Sequence, residues 1–180
     1  EQIWRELAQL GWKIVTALLV AGMVYSVAPS YTRYAASAPN LLITVTTNMD
    51  FMDAGPVCQA IMIGMLPGPD GLVSLREAIC AANNTPPFNH IINSAIPPMP
   101  PIMVGSPPQM LGPLPMITAP MLIQGGPPGM VIDGAAAGPA NGFSIGPLVI
   151  PGAVQIIWMT IQNFQGNGIE ITGGPAIVQI

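Results

Sequence analysis

Two carboxylates in the second half of the chain, Asp133 and Glu170, are the first residues that suggest chemistry. Glycoside hydrolysis needs a pair of carboxylates at a defined separation, and these are the only acids after Glu77. Lyase chemistry usually needs a cationic base or a metal cluster, and no Lys or Arg follows Arg76. Asp133 precedes a glycine, where Asp commonly closes a turn, and Glu170 alternates with two isoleucines, as an outward strand residue does. We therefore predict structural roles for both acids.

A cluster of oxygen ligands, Asn48, Asp50 and Asp53, follows an apolar run. Their i, i+2, i+5 spacing predicts a Ca²⁺ site, the one cofactor that the sequence suggests. The competing interpretation is an Asx-rich turn, because no bidentate Glu follows at the spacing of a strong calcium motif. The single histidine, His90, precedes two isoleucines and is predicted to stand at a strand end rather than to act chemically.

The clearest helix of the chain is predicted over Ser74–Asn83. Ser74 and Glu77 stand three apart, so each side chain can bond the other's backbone N–H in a capping box. The pattern places three residues on one apolar face: Leu75, Ile79 and Ala82. Such a short helix is marginal in water, so it must lie on an apolar surface, and we expect it to close the open end of a β-stack.

Five residues of this helix carry the predicted structural cap, namely Ser74, Leu75, Arg76, Glu77 and Ile79. Arg76 lies off the apolar face. We expect it to pair with a nearby acid, Asp70 or Asp53, in an exposed ion pair of small energetic weight.

The segment Ser74–Ile79 reads Ser-Leu-Arg-Glu-Ala-Ile, and an Ala-Ala-Asn run and an Ile-Pro-Pro segment follow it. It resembles the N-terminal module of bacterial surface proteins named for a Cys-Ser-Leu-Arg-Glu-Ala (CSLREA) motif. The resemblance runs from about Leu41 to the end of the chain, and it implies a module that leads into a right-handed parallel β-helix. Val73 stands where the family has its leading Cys, so the family's disulfide pattern does not transfer.

The N-terminal region contains an apolar stretch over residues 14–28, with Arg5 and Lys13 before it and small residues at 35–38. Its length favours a signal peptide cleaved near Ser37. The alternatives are an uncleaved anchor crossing the membrane through residues 14–28 and a buried soluble helix. Both main interpretations export the rest of the chain, which predicts an extracellular or cell-surface location.

Cys58 and Cys80 are the only cysteines. An even cysteine count in an exported protein predicts a disulfide, here closing the loop before the helix onto the helix itself. The alternative is a pair of buried free thiols.

Composition limits the fold and the partners. Only 7% of the 180 residues are charged and 51% are apolar, against about 25% charged in ordinary domains. The chain has no basic patch, which argues against nucleic-acid binding. The 20 glycines and 22 prolines break it into short apolar runs, too closely spaced for a doubly wound fold.

An internal echo supports stacked strands, because Asn141-Gly-Phe-Ser-Ile145 is matched further along the chain by Asn167-Gly-Ile-Glu-Ile171. Isoleucines spaced by about 22 residues, such as Ile123 and Ile145 or Ile157 and Ile180, lie in the repeat range of solenoids. Asn141 and Asn163 share this spacing and are predicted to stack as an Asn ladder.

The predicted fold class is therefore all-β: a right-handed parallel β-helix (solenoid) with a short N-terminal capping helix, preceded by a signal or transmembrane helix. The predicted parts are a signal peptide or membrane anchor at 1–38, a cap module at 39–100 and the first coils at 101–180. The apolar run that ends at Ile180 predicts an uncapped coil end, a sticky edge suited to a carbohydrate or another protein.

These observations predict an exported or cell-surface protein with a structural, adhesive or carbohydrate-contacting role and no enzymatic activity. One alternative is the N-terminal part of a β-helix polysaccharide lyase or hydrolase. Another is an anchored accessory subunit of a membrane complex.

Overall fold

The computed structural model of the protein describes residues 41–55, 57–86, 88–95, 100–150, 152–173 and 176–179. They belong to the compact unit Pro39–Ile180. The unit contains one described α-helix, α1 (Leu75–Asn84), and two 3-10 turns, Cys58–Ala60 and Ile63–Met65. The predicted helix therefore forms, with its first turn one residue later than expected. No helix of the described ranges combines the length and the apolar character needed to cross a membrane.

Ten short strands make up the rest of the regular structure in the described ranges. Their bounds are β1 (Leu42–Val45), β2 (His90–Ser94), β3 (Ile102–Met103), β4 (Met121–Gln124), β5 (Met130–Asp133), β6 (Phe143–Ile145), β7 (Gly152–Ile157), β8 (Met159–Gln162), β9 (Ile169–Ile171) and β10 (Ala176–Gln179). They form a five-stranded sheet in the order β1-β2-β4-β7-β10, a three-stranded sheet β3-β5-β8 and a pair β6-β9. Every one of these strand pairings is parallel.

Rows of isoleucine form the centre of the core. In the five-stranded sheet Ile43, Ile92, Ile123 and Ile156 stand side by side through four successive strands, and all are buried. Strands β1 and β4 contain β-branched residues and alternate buried positions with more exposed ones, as half-buried sheets require. Each buried side chain of this size contributes roughly 1.5–3 kcal/mol, so these rows are a main source of stability for the unit.

The predicted parallel β-helix is wrong. The described strands are gathered in three separate small sheets of five, three and two strands beside a helix, and no closed solenoid is found among the described residues. The strands are parallel, but their spacing is irregular: Leu42 pairs with Ile91 across a long intervening segment, whereas Gly152 pairs with Ala176 after a much shorter one. The sequence interpretation assumed a nearly constant repeat, and the long segment holding α1 and the 3-10 turns breaks it.

The spacing of Ile123 and Ile145 was therefore misleading. Ile123 pairs with Ile92 and Ile156, and Ile145 belongs to a different sheet. The echo of the two Asn-Gly segments is confirmed, because Phe143 and Ile145 lie opposite Ile169 and Ile171 in the β6–β9 pair. The echo was thus visible in the sequence, whereas the spacing of Ile123 and Ile145 marks no strand pairing. The other example of that spacing, Ile157 and Ile180, cannot be followed because Ile180 lies outside the described residues.

The predicted N-terminal signal peptide or anchor at 1–38 lies outside the described residues. The boundary predicted between 39–100 and 101–180 stays a prediction. The five-stranded sheet draws strands from both parts, because β2 pairs with β4.

Candidate functional site: a polar hub on helix α1

The first turn of α1 holds the loop that follows β1. The Glu77 carboxylate accepts the backbone N–H groups of Asp53 (2.9 Å) and Ala54 (3.0 Å) on one oxygen and that of Ser74 (2.9 Å) on the other. The Ser74 hydroxyl accepts the Glu77 N–H (3.1 Å) and donates to the Phe51 carbonyl (2.6 Å). The capping box is thus present, and the same two side chains also fasten a loop that is distant in the sequence.

Burial makes these bonds important. Ser74 and Glu77 are both 0% exposed, and a buried carboxylate is tolerated only when hydrogen bonds replace its water. Hydrogen bonds to charged groups contribute about 1.5–3 kcal/mol each. The three backbone N–H groups that converge on Glu77 therefore explain how an ionisable group can sit inside this apolar unit.

Arg76 makes the second set of contacts from the same turn. Its Nε and Nη2 donate to the two carboxylate oxygens of Asp50, both at 2.8 Å. Nη2 also donates to the Gly112 carbonyl (2.9 Å) and Nη1 to the Pro113 carbonyl (2.7 Å). The pair is buried, with Arg76 5% and Asp50 1% exposed, and its forked geometry is the strong, directional form of the Arg–carboxylate bond.

The expectation that Arg76 pairs with Asp70 or Asp53 in an exposed bridge is wrong. Asp53 accepts the backbone N–H of Asp70 (3.1 Å), so these two acids stabilise their own loop. Asp50 also accepts the N–H of Gly105 (2.7 Å). Gly105 has φ +74°, and an added Cβ would come within 2.8 Å of the Ala136 carbonyl, so only glycine brings its N–H there without strain.

The last turn of α1 holds two further segments. Asn83 donates to the Met116 carbonyl (2.8 Å) and accepts the N–H groups of Thr118 (2.9 Å) and Ala119 (3.2 Å). Asn84 donates to carbonyls of the first 3-10 turn and the residue after it, Cys58 (2.6 Å) and Ile61 (3.0 Å). We call Ser74, Arg76, Glu77, Asn83 and Asn84 the α1 hub.

A disulfide reinforces the hub. Cys58 and Cys80 are bonded, with their Cα atoms 5.1 Å apart, which confirms that prediction. Cys80 is fully buried on the helix, and Asn84 binds the Cys58 carbonyl beside it. The bond therefore fixes the 3-10 turn to α1 at two points.

The role of these residues as a cap that closes a stack stays a prediction. The structure places Leu75 and Ile79 in the core, 1% and 0% exposed. It shows α1 as the point where four separate loop segments are fastened, which the sequence pattern of an amphipathic helix did not reveal. A short helix that is buried on every side requires its polar residues to find distant partners.

Of the predicted calcium site, formed by Asn48, Asp50 and Asp53, the two aspartates are committed to different parts of the chain. Asp50 is committed to Arg76 and Gly105. Asp53 holds Asp70 through Oδ2, and its Oδ1 is buried without a hydrogen-bond partner among the described residues. Within the described ranges no three His, Cys, Asp or Glu side chains are grouped to hold a metal ion. Calcium binding stays a prediction, and Asp50 would have to leave Arg76 to take part in it.

The environment of Asp53 raises the pKa of its carboxyl group. Burial is the largest cause, and the neighbouring Glu77 carboxylate adds to it, while the hydrogen bond from Asp70 acts in the opposite direction. Two acids meeting at one loop favour the neutral form of one of them.

His90 begins β2, the strand-end position expected for it. Its Nε2 lies 2.7 Å from the Thr85 carbonyl, which only accepts hydrogen bonds, so Nε2 is assigned the proton. The ring is fully buried, and its Nδ1 has no hydrogen-bond partner among the described residues. This bond fastens the end of α1 to the start of the next strand.

Asp133, one of the two carboxylates considered for catalysis, closes a turn and joins two strands. One oxygen accepts the Ala135 N–H (2.9 Å), and the other accepts the amides of Gln162 (2.8 Å) and Asn163 (2.7 Å). The Ala135 and Gln162 bonds lower the pKa of Asp133 most. The predicted turn role is present, and Asn163 binds Asp133 instead of stacking on Asn141 as predicted.

Glu170, the other carboxylate, accepts the Asn141 amide (2.6 Å) in the β6–β9 pair. Asp133 ends β5 in the three-stranded sheet. The two acids therefore belong to different sheets, and each has its own partners.

A second candidate region is the outer face of the five-stranded sheet. The inward side chains of this sheet include the buried isoleucines. The outward side chains of β1, β2 and β4 line up in two rows. The apolar row consists of Leu42, Ile91 and Leu122. The polar row consists of Thr44, Asn93 and Gln124. Neighbouring members are about 4.8 Å apart, the spacing of paired strands, and neither row carries a charge.

A groove of about 290 Å³ lies at the β1 end of this face. Leu42 and Thr44 line one side of it, and Ile63, Leu66 and Pro67 line the other. None of its lining residues, all from the described part of the chain, is charged. The two rows therefore end in an uncharged concave surface of the size that small ligands occupy.

Comparisons with known proteins add nothing to this geometry: no family model, curated protein or solved structure matches the chain.

Proposed function

We propose that the protein is an exported or cell-surface protein with a non-enzymatic, structural and carbohydrate-contacting role. The observation that carries the proposal is the use of five ionisable side chains in the described part of the chain. Asp50, Arg76, Glu77, Asp133 and Glu170 each hydrogen-bond to other parts of the chain. Such a framework is typical of a rigid module rather than of a site that moves protons.

The disulfide supports the proposed location. A Cys58–Cys80 bond forms and persists in oxidising compartments. The resemblance of Ser74–Ile79 to the module of CSLREA-motif surface proteins points the same way. Labelling of free thiols in protein taken directly from the cells that make it tests this: both cysteines should be found bonded, and a population with two reactive thiols would contradict export.

The proposed contact surface is the outer face with its apolar and polar rows, together with the groove at its β1 end. A sugar presents apolar C–H faces edged by hydroxyl groups, which complements an apolar row beside a polar row. Because the face is uncharged, we commit to a neutral polysaccharide. An anionic polymer would find no cation in these rows.

Co-sedimentation with insoluble cellulose and chitin, and affinity electrophoresis in soluble neutral glucan, provide the direct test. The double variant Asn93→Ala/Gln124→Ala should bind roughly tenfold more weakly, since each lost hydrogen bond contributes about 0.5–1.5 kcal/mol. Gln165→Ala, an exposed amide outside the rows, is the matched control and should bind like the parent.

Three results would contradict the proposal. Binding unaffected by the double variant would remove the face from the site. Stronger retention by polygalacturonate than by neutral polymers would contradict the charge argument. Release of reducing or unsaturated sugar ends would contradict a non-enzymatic role.

A further inference from the structure

Two Asn-Gly dipeptides lie opposite each other where β6 and β9 begin. Asn141–Gly142 directly precedes Phe143, and Asn167–Gly168 directly precedes Ile169, the partner of Phe143 in the parallel pair. Asn-Gly is the sequence most open to spontaneous deamidation, because glycine has no Cβ to obstruct attack by its own backbone nitrogen on the Asn side-chain amide. The pair therefore provides two chemically identical sites in different surroundings.

Hydrogen bonds restrain the first site, Asn141–Gly142. The Asn141 side chain accepts the Asn167 N–H (2.8 Å) and donates to Glu170 (2.6 Å). Gly142 is buried, and its N–H donates to the Asn167 carbonyl (2.9 Å). The nitrogen that would attack is therefore engaged, and both ends of the amide that it would attack are held.

The second site, Asn167–Gly168, is exposed to solvent. Asn167 and Gly168 are both exposed, and among the described residues neither the Asn167 side chain nor the Gly168 N–H makes a hydrogen bond. The bond from the Gly142 N–H to the Asn167 carbonyl also acts on the reaction. When the Gly168 nitrogen loses its proton, negative charge moves onto this carbonyl oxygen, and a donor already pointing at it stabilises that charge.

We propose that Asn167 is a self-modification site that forms a succinimide with Gly168. Water or hydroxide removes the Gly168 amide proton, and the nitrogen attacks Cγ of Asn167. The new N–Cγ bond forms as the Cγ–Nδ2 bond breaks, and ammonia leaves. Water then opens the ring at either carbonyl, giving aspartate or isoaspartate. The sum is asparagine plus water to an acid plus ammonia, and no other reactant is needed.

The product loosens the β6–β9 pair. An isoaspartate inserts one methylene into the main chain at residue 167, between the N–H that Asn141 accepts and the carbonyl that Gly142 binds. Both bonds cannot then keep their register. The same change frees the oxygen of the Asn141 amide and the Gly142 nitrogen, so reaction at Asn167 prepares the second dipeptide to react. The two modifications should occur in a fixed order.

The test is peptide mapping by mass spectrometry of the purified full chain, incubated at mildly alkaline pH and physiological temperature. The amide loss and the isoaspartate should accumulate at Asn167. Asn141 should react roughly a hundredfold more slowly, since three hydrogen bonds must break there first. In the chain denatured in urea the two dipeptides should react at similar rates, which calibrates their intrinsic chemistry.

Gly168→Ala isolates the mechanism. The added Cβ meets only Ile161 Cγ2 at 3.7 Å, an ordinary contact, so the fold is preserved while attack on Asn167 is hindered. This variant should slow reaction at both dipeptides in the native protein, because the second depends on the first. Equal native rates, earlier reaction at Asn141, or no product at Asn167 while the denatured chain reacts would each overturn the proposal.

Discussion

Replacing Arg76 with alanine is the perturbation whose outcome the structure specifies most sharply. The change removes a forked bond to a carboxylate that is 1% exposed, and it leaves Asp50 with the Gly105 N–H as its remaining described partner. It also removes the donors to the Gly112 and Pro113 carbonyls. Removing one partner of a buried ion pair costs about 3–5 kcal/mol, because the other charge stays buried and unpaired.

That loss is a large share of the roughly 5–15 kcal/mol that typically stabilises a domain. Arg76→Lys keeps the charge but cannot make both hydrogen bonds to the Asp50 carboxylate. Its stability should therefore lie between those of the parent and the alanine variant. Adding Asp50→Asn to Arg76→Ala removes the unpaired buried charge and keeps an acceptor for the Gly105 N–H. The double variant should therefore recover part of the lost stability. The sequence-based expectation was an exposed ion pair of small energetic weight, for which Arg76→Ala would cause only a small loss of stability.

Urea unfolding followed by tryptophan fluorescence provides the free energies. Gln165→Ala, an exposed polar truncation, is the control and should stay within about 0.5 kcal/mol of the parent. A loss below about 1 kcal/mol for Arg76→Ala, the value typical of exposed pairs, would refute the buried-pair argument. So would a double variant less stable than Arg76→Ala alone.

Three further predictions concern the neighbourhood of the hub. Reduction of Cys58–Cys80 should cost roughly 3 kcal/mol by the chain-entropy model, measured as the shift in unfolding free energy with and without reductant; no shift would show that the bond does not constrain the chain. Asp53→Asn should stabilise the protein near neutral pH: the raised pKa means that Asp53 supports folding fully below its unfolded pKa and loses that support as pH rises through the folded value. The advantage of the variant should therefore vanish in acid, and an advantage that grows there would contradict the assignment. Ser74→Ala should lower the free energy of unfolding by about 2 kcal/mol, more than the ~1 kcal/mol of an ordinary N-cap loss, because the Ser74 hydroxyl also donates to the loop that Glu77 holds. Ser74→Thr keeps a hydroxyl and should keep most of that stability.

The local features of the site could be read from the sequence because their partners are near in the chain. Ser74 and Glu77 are three positions apart, so the capping box follows from helix geometry alone. The turn at Asp133 is equally local. The β6–β9 register was visible because both strands carry the same Asn-Gly start.

The partner of Arg76 could not be read in this way. Asp50 and Gly112 are both far from it in the sequence, and nothing local distinguishes Asp50 from Asp53 or Asp70. One signal was present: Arg76 is the only Lys or Arg after Ala38. A single permanent cation in a largely apolar unit is expected to be buried with an acid. Asn83 was predicted only as the last residue of the helix, although a polar residue at a buried helix end also needs distant partners.

The prediction of the fold class was wrong for a related reason. Short apolar runs between Gly and Pro turns predict parallel strands without fixing how many share a sheet. The irregular spacing between paired strands depends on loops, such as the one containing α1, whose lengths carry no periodic signal.

Hydrogen exchange of the loop amides that bond to hub side chains tests directly whether α1 holds these loops against the core. The N–H groups of Asp53, Ala54 and Gly105 donate to Glu77 or Asp50 rather than to a backbone ladder. If the α1 hub fastens these loops to the core, their amides should exchange as slowly as the amide of Ile123 in the five-stranded sheet. Arg76→Lys should then speed up the exchange of all three amides together. Exchange at the rate of an unstructured loop in the parent protein, or protection unchanged by Arg76→Lys, would show that the α1 hub does not hold these loops.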